Sequence, residues 1–166
     1  MNQPEILIVG AGGMGALFGS ILHENGLKVV LYDTNTEHIR AIQQAGLKIE
    51  GYGGDRTIPI AAISNLSELE SAEIIIFQCK SHGTRQASKA VKPLITQESV
   101  CISFQNGLGN EEVMAEELGE DFVMGGLTAM AGVLLGPGKI RDFSRVPSHI
   151  GAVSYTHLTL PTNDQV

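Results

Sequence analysis

One hexapeptide constrains the fold of this chain more than any other feature: Gly10-Ala11-Gly12-Gly13-Met14-Gly15, a G-x-G-x-x-G pattern. Alone, the pattern is common. Here it follows directly on a short apolar run, Glu5 to Val9. It opens a segment, Met14 to Glu24, with Leu17, Phe18, Ile21 and Leu22 at helical spacing before Gly26. Strand, glycine turn and helix is the context in which each glycine has a physical reason. Gly10 makes the tight turn, Gly12 lets the backbone approach a pyrophosphate, and Gly15 lets helix and strand pack closely. The unpaired N–H groups and positive dipole end of such a helix favour an anion at its start.

The rest of the chain repeats the alternation. Lys28 to Tyr32 reads as a second strand, and Glu37 to Ala45 as a helix ending at Gly46. Leu47 to Glu50, the turn Gly51-Tyr52-Gly53-Gly54 and Thr57 to Ile60 read as strand, turn, strand. Leu66 to Leu69 reads as one helical turn and Glu73 to Cys79 as a fully buried strand. A helix is expected from Thr84 to Val91, a strand from Val100 to Phe104, a helix from Glu111 to Leu118 and a strand starting at Phe122 to Met124. This order predicts an α/β fold, a Rossmann-like doubly wound parallel sheet. After Gly125 the rhythm changes. Leu127 to Leu135, Gly136-Pro137-Gly138 and Lys139 to Phe143 predict a C-terminal β-hairpin extension.

A length of 166 residues, 43% hydrophobic and 17% charged, suits one globular domain, assigned to residues 1–152. The net charge of -7 argues against nucleic acid and anionic membranes as partners. It does not argue against an anionic cofactor held by local backbone groups. Met1-Asn2-Gln3-Pro4-Glu5 lacks a basic signal-peptide start and Ile6 to Val9 is too short for a membrane span, so a cytoplasmic protein is expected. Cys79 and Cys101 form no metal or CxxC spacing and read as reduced thiols on buried strands. His23, His38, His82, His149 and His157 have no partner at metal or triad spacing and read as structural or solvated, so no metal site is expected. The segment 153–166 has no charge before Asp164 and no periodicity. It reads as a non-native tail of the kind translated from adapter DNA at a broken sequence end, or else as an edge strand with a disordered terminus.

Three side chains carry the candidate chemistry. Asp33 ends the second strand, where a carboxylate accepts from both adenosine ribose hydroxyls and repels a 2′-phosphate. It leans towards NADH over NADPH; the competing reading is a turn aspartate before Thr34-Asn35-Thr36. Lys80 follows a buried strand and can hold an anionic or carbonyl oxygen. Asn106, in Gln105-Asn106-Gly107, follows another, and its amide can donate to a substrate oxygen. A parallel sheet puts all three on the carboxyl edge shared with the glycine turn, where ligands bind.

Four segments together resemble the ketopantoate reductase (2-dehydropantoate 2-reductase) family. They are Gly10 to Gly15 with Leu17-Phe18-Gly19, Lys80 at a strand end, Gln105-Asn106-Gly107-Leu108-Gly109, and Leu135-Gly136-Pro137-Gly138-Lys139-Ile140. The resemblance runs from about Glu5 to Gly151. It implies reduction of the ketone of 2-dehydropantoate to pantoate, on the route to pantothenate and coenzyme A, with NADPH in most members. It implies cofactor contacts from Gly10, Ala11, Gly12, Gly13, Met14, Gly15, Lys80 and Ala131, and from Asn106 to both cofactor and substrate. The chain departs from the family in two ways. Asp33-Thr34-Asn35 stands where members commonly carry an arginine for the 2′-phosphate, so either NADP or NAD is expected. The second, helical domain, with the general-acid lysine and most substrate contacts, is expected to be absent. The chain therefore reads as an N-terminal fragment that binds cofactor without turnover, with a homodimer left open for the full-length protein. Two alternatives stay open: another Rossmann dehydrogenase of the 2-hydroxyacid or 6-phosphogluconate type, and a nucleotide-sensing regulatory domain.

Overall fold

The computed structural model describes residues 3–153. Of the expected tail only Val153 falls among them, partly buried against the core; the rest lies outside the described residues.

The elements follow one another as β1 (Ile6–Val9), α1 (Gly13–Glu24), β2 (Val29–Tyr32), α2 (Thr36–Ala45), β3 (Leu47–Gly51), β4 (Arg56–Ile58) and β5 (Ala61–Ile63). Then come β6 (Ile74–Phe77), α3 (Thr84–Val91), β7 (Val100–Ser103), α4 (Asn110–Leu118) and β8 (Val123–Leu127). Last among the described residues come β9 (Ala131–Gly136), β10 (Lys139–Ser144) and β11 (His149–Ala152). The main sheet has seven strands in the order β11-β8-β7-β6-β1-β2-β5. All neighbours are parallel except the β11–β8 pair. This is the expected doubly wound sheet, and its topological switch falls between β1 and β6.

Both faces of the sheet are covered, which is why its strands read as unbroken apolar runs. Alternate residues feed two cores. Ile6 and Ile8 join Val29, Leu31, Ile76 and Ile102 on the face carrying Leu17 and Phe18 of α1 and Ile39 and Ile42 of α2. Leu7 and Val9 join Val30, Ile75, Phe77 and Cys101 on the face carrying Val91 of α3 and Met114 and Leu118 of α4. Each such side chain, once buried, contributes about 1.5–3 kcal/mol.

Two expectations are corrected, and one strand was not expected at all. Thr57 to Ile60 is not one strand. Pro59 has no N–H for a ladder, so β4 ends at Ile58 and the chain crosses to the main sheet as β5. Leu127 to Leu135 breaks at residues 128–130, where Thr128 Oγ1 accepts the Met130 N–H at 3.1 Å; β8 belongs to the main sheet and β9 does not. β11 pairs antiparallel on the main sheet's edge, and nothing in its composition announced it. The expected hairpin β9–β10 is present, and it does not stand alone. It joins β3 and β4 in a second sheet of order β4-β3-β10-β9, with β10 parallel to β3. Leu47, Ile49, Ile58 and Ile140 of that sheet pack into the core of the α1 face.

Candidate dinucleotide site

The carboxyl ends of β1, β2 and β6 open into a cleft of about 580 Å³ at the switch point. Gly10, Gly12, Tyr32, Asp33, Gln78 and Lys80 line it, with α3 residues including Gln86 and Ala90 on the far wall.

The glycines of the turn differ in what they serve. Gly10 has φ +97°, and a Cβ there would lie 2.5 Å from the Cys79 nitrogen. A Cβ on Gly15 would lie 1.9 Å from the Gly10 carbonyl oxygen. Both are therefore dictated by the fold, as the strand–turn–helix motif predicts. Gly13 answers to a different neighbour: its Cβ would stand 2.6 Å from the Gly132 carbonyl oxygen of β9, so here glycine admits the hairpin. A Cβ on Gly12 would meet no atom of the described residues within 4 Å, and the backbone there is extended, φ -63° and ψ -165°. Any residue fits there as far as the protein is concerned. Gly12 lines the cleft, so its missing side chain leaves the cleft open at that point. The start of α1 is likewise uncommitted, with no side-chain cap and no acidic residue in its first turn. Ala11 is buried beneath the turn and Met14 is half-buried on α1.

Asp33 lies at the opposite end of the cleft. Its Oδ1 accepts the Asn35 N–H at 2.9 Å, so the turn reading holds for one oxygen. Oδ2 takes no hydrogen bond from the described residues. Gln78 also lines the cleft, and its buried amide nitrogen has no partner among the described residues. An orphaned donor, a cradle that a Cβ would fill and an uncapped helix start all fit a dinucleotide. Sequence reasoning passed over Gln78, although a polar residue ending the run Ile74-Ile75-Ile76-Phe77 was a usable signal.

Lys80 is exposed on the cleft rim. Asn106 is exposed on the same carboxyl edge, three residues beyond β7, and does not line the cleft itself. Ala131, at the start of β9, is exposed outside it too, next to the Gly132 that packs on Gly13. A buried network ties the first two loops together. Gln105 Nε2 donates to the Cys79 carbonyl and to Thr84 Oγ1, both at 2.8 Å. Thr84 Oγ1 donates to Asn110 Oδ1 at 3.0 Å, and Asn110 Nδ2 donates to the Asn106 carbonyl at 3.2 Å. Gln105, Thr84 and Asn110 thus hold both ends of the Lys80 loop and the base of the Asn106 loop. Their linking role was not legible in sequence, because the bonds of Gln105 and Asn110 to Cys79 and Thr84 span more than 20 positions. Below them Phe104 is wedged against Phe18, ring centroids 4.8 Å apart, and over Gly126.

Electrostatics discourage a nucleophile in the cleft. Burial pushes the Cys79 thiol up, and the Asp33 carboxylate adds to it against an opposing backbone hydrogen bond. Burial likewise raises Tyr32, with Asp33 adding to it. Cys101, at the core of β7, is pushed up to about 12 by burial. Of the histidines, His82 lines the cleft, His38 is buried beside the glycine turn, and His157 lies outside the described residues. No helix among the described residues is long and apolar enough to cross a membrane.

Comparison with known proteins agrees with the fold. The family model described as Ketopantoate reductase PanE/ApbA matches residues 6–155. A 2-dehydropantoate 2-reductase from Lactococcus lactis subsp. lactis (strain IL1403) is 32% identical over 141 residues, covering 84% of this chain and 45% of the relative. The crystal structure of 2-dehydropantoate 2-reductase from Geobacter metallireducens GS-15 superposes with a TM-score of 0.82 at 26% identity, over 89% of this chain and 48% of that one. The ternary structure of D-mandelate dehydrogenase with NADH and anilino(oxo)acetate gives a TM-score of 0.81 at 26% identity, over 87% of this chain and 46% of that one. The chain thus spans about half the length of the relatives it matches.

Proposed function

The chain belongs to the ketopantoate reductase family, and from that premise we propose that it is the cofactor-binding half of a reductase that transfers hydride from a nicotinamide dinucleotide to a 2-ketoacid, 2-dehydropantoate being the first candidate. The observation that carries this reading is Gly12, a glycine that the fold does not need, on the wall of the switch-point cleft.

The roles follow from position. The Gly10–Gly15 turn and the start of α1 hold the pyrophosphate through backbone N–H groups. Asp33 Oδ2 accepts from ribose, and Lys80 steadies an anionic oxygen at the rim. Ala131 contacts the cofactor from the hairpin. Bound there, the nicotinamide supplies the hydride. Asn106 lies on the substrate side, its amide donating to the ketone oxygen as negative charge grows on it. Protonation of the resulting alkoxide needs an acid. By the family resemblance that acid is a lysine of a second domain, and the chain spans about half the length of the relatives it matches.

Cofactor choice follows from Asp33, since a carboxylate close to a 2′-phosphate is repulsive. The D-mandelate dehydrogenase of similar fold was solved with NADH. Fluorescence titration should give a lower Kd for NADH than for NADPH, and Asp33→Ser should narrow the difference. A clear NADPH preference in the unaltered protein would overturn the NADH assignment. The activity itself is tested by 2-dehydropantoate-driven oxidation of NADH, in this chain and in the protein at the full length of its relatives. Turnover confined to the longer protein is expected. A full-length protein that binds NADH but leaves it unoxidised whichever 2-ketoacid is added would favour a sensor.

A further inference from the structure

The bonds made by His38 assign it a task beyond packing. It is 1% exposed, in the first turn of α2, and its backbone N–H donates to Asn35 Oδ1 at 3.1 Å. Its ring joins two segments distant in sequence. Nδ1 accepts the Gly138 N–H at 2.9 Å, which makes the other ring nitrogen the donor; Nε2–H then donates to the Ala11 carbonyl at 2.8 Å. Ala11 sits inside the glycine turn and Gly138 in the turn of the β9–β10 hairpin. The hairpin grips the glycine turn elsewhere too, through the Gly13–Gly132 contact, and a Cβ on Gly138 would stand 2.9 Å from that of Ala41 on α2. Hydrogen bonds therefore run from Asp33 through Asn35 and His38 to Ala11, one end of the cleft to the other.

Peptide planarity gives this chain of bonds a consequence. The Ala11 carbonyl and the Gly12 N–H belong to one trans peptide and point in opposite directions. Tying the carbonyl to the buried imidazole aims the Gly12 N–H the other way, and Gly12 lines the cleft. That N–H has no acceptor among the described residues. We propose that His38 is a positioning residue for the dinucleotide turn: it holds the Gly12 N–H as a donor to the pyrophosphate and couples the β9–β10 hairpin to cofactor binding. The assignment rests on the reading of the cleft as a dinucleotide site.

Two variants separate the two ring bonds. In His38→Gln the amide nitrogen reaches the place of Nε2 and keeps the bond to Ala11. In His38→Asn the amide oxygen takes the place of Nδ1 and keeps only the bond from Gly138. Both should melt lower. The NADH Kd should stay within about threefold of the unaltered protein for His38→Gln and rise about tenfold for His38→Asn, the scale of one lost hydrogen bond. Lower melting with the same Kd in all three proteins would make His38 merely structural and overturn the assignment. Failure of the unaltered protein to bind either NADH or NADPH would overturn the dinucleotide reading itself, a distinguishable outcome. Should His38→Asn not fold, amide hydrogen exchange in the unaltered protein decides. Linkage requires that saturating NADH slow exchange at Gly138, by about fivefold or more. Exchange there that ignores NADH would overturn the coupling.

Discussion

At the scale of single residues, the glycine turn separates what the fold demands from what a ligand demands. Gly10→Ala and Gly15→Ala each drive a Cβ into backbone, and Gly10 also has a positive φ. Each should lower stability by more than about 3 kcal/mol in denaturant titrations, the range reserved for core disruption and backbone strain. Asn106 poses the complementary case, since its side chain makes no hydrogen bond to the described residues and its substitution should spare the fold. In a protein of full family length, Asn106→Asp keeps size and turn preference while replacing the donor by a carboxylate. NADH affinity and melting temperature should persist while kcat/KM falls about 10²-fold or more, the scale for a lost oxyanion donor. A near-normal kcat/KM would leave Asn106 as a turn residue. Spacing made Gly10, Gly12 and Gly15 legible in the sequence, because they answer to a local motif. It could not show that Gly13 serves β9, a strand about 120 positions later, nor that His38 reaches Gly138, 100 positions away.

Among the elements, those that alternate in the parallel sheet were readable and those that swap sheets were not. The run Ile74 to Phe77 is apolar at every position because both faces of β6 are covered, and period and burial agree there. Between Ile58 and Ala61, and again between Leu127 and Ala131, the chain passes from one sheet to the other, with apolar residues on both sides of the passage. Local composition cannot mark such a passage; only the Pro59 break does. The network under the Asn106 loop predicts a second effect. Asn110→Ala leaves the buried Thr84 hydroxyl without its acceptor, which costs about 1–3 kcal/mol. Thermal melting should fall accordingly, with kcat/KM in the full-length protein falling further than NADH affinity as the loop loosens. Strand β7 adds a pH dependence. Its Cys101 thiol stays protonated up to about 12, whereas the same thiol in the unfolded chain ionises near 9. Below pH 9 both states hold the proton and stability is unaffected. As pH rises from about 9 towards 12 the unfolded state loses it first, so stability should fall by about 1.4 kcal/mol per unit at most. Cys101→Ala should flatten that alkaline slope while lowering stability at neutral pH through the lost packing.

Across the described residues, both sheets, the start of α1 and one face of α3 meet near the carboxyl end of β1. The doubly wound sheet opens the cleft, α1 presents its uncapped start there, and the small sheet closes on the turn from the side of Gly13. Everything proposed for function depends on a dinucleotide lying in that cleft. Gly12→Val tests it directly, because the position has open space and a backbone that any residue adopts, so the protein itself has no objection to the side chain. NADH titration and thermal melting should be measured together on the unaltered protein and this variant. The melting temperatures should agree within about 2 °C, as for a substitution worth less than about 0.5 kcal/mol, while the NADH Kd rises at least about 100-fold as the isopropyl group fills the cradle. A Gly12→Val protein that melts normally and binds NADH as tightly as the original would contradict the account.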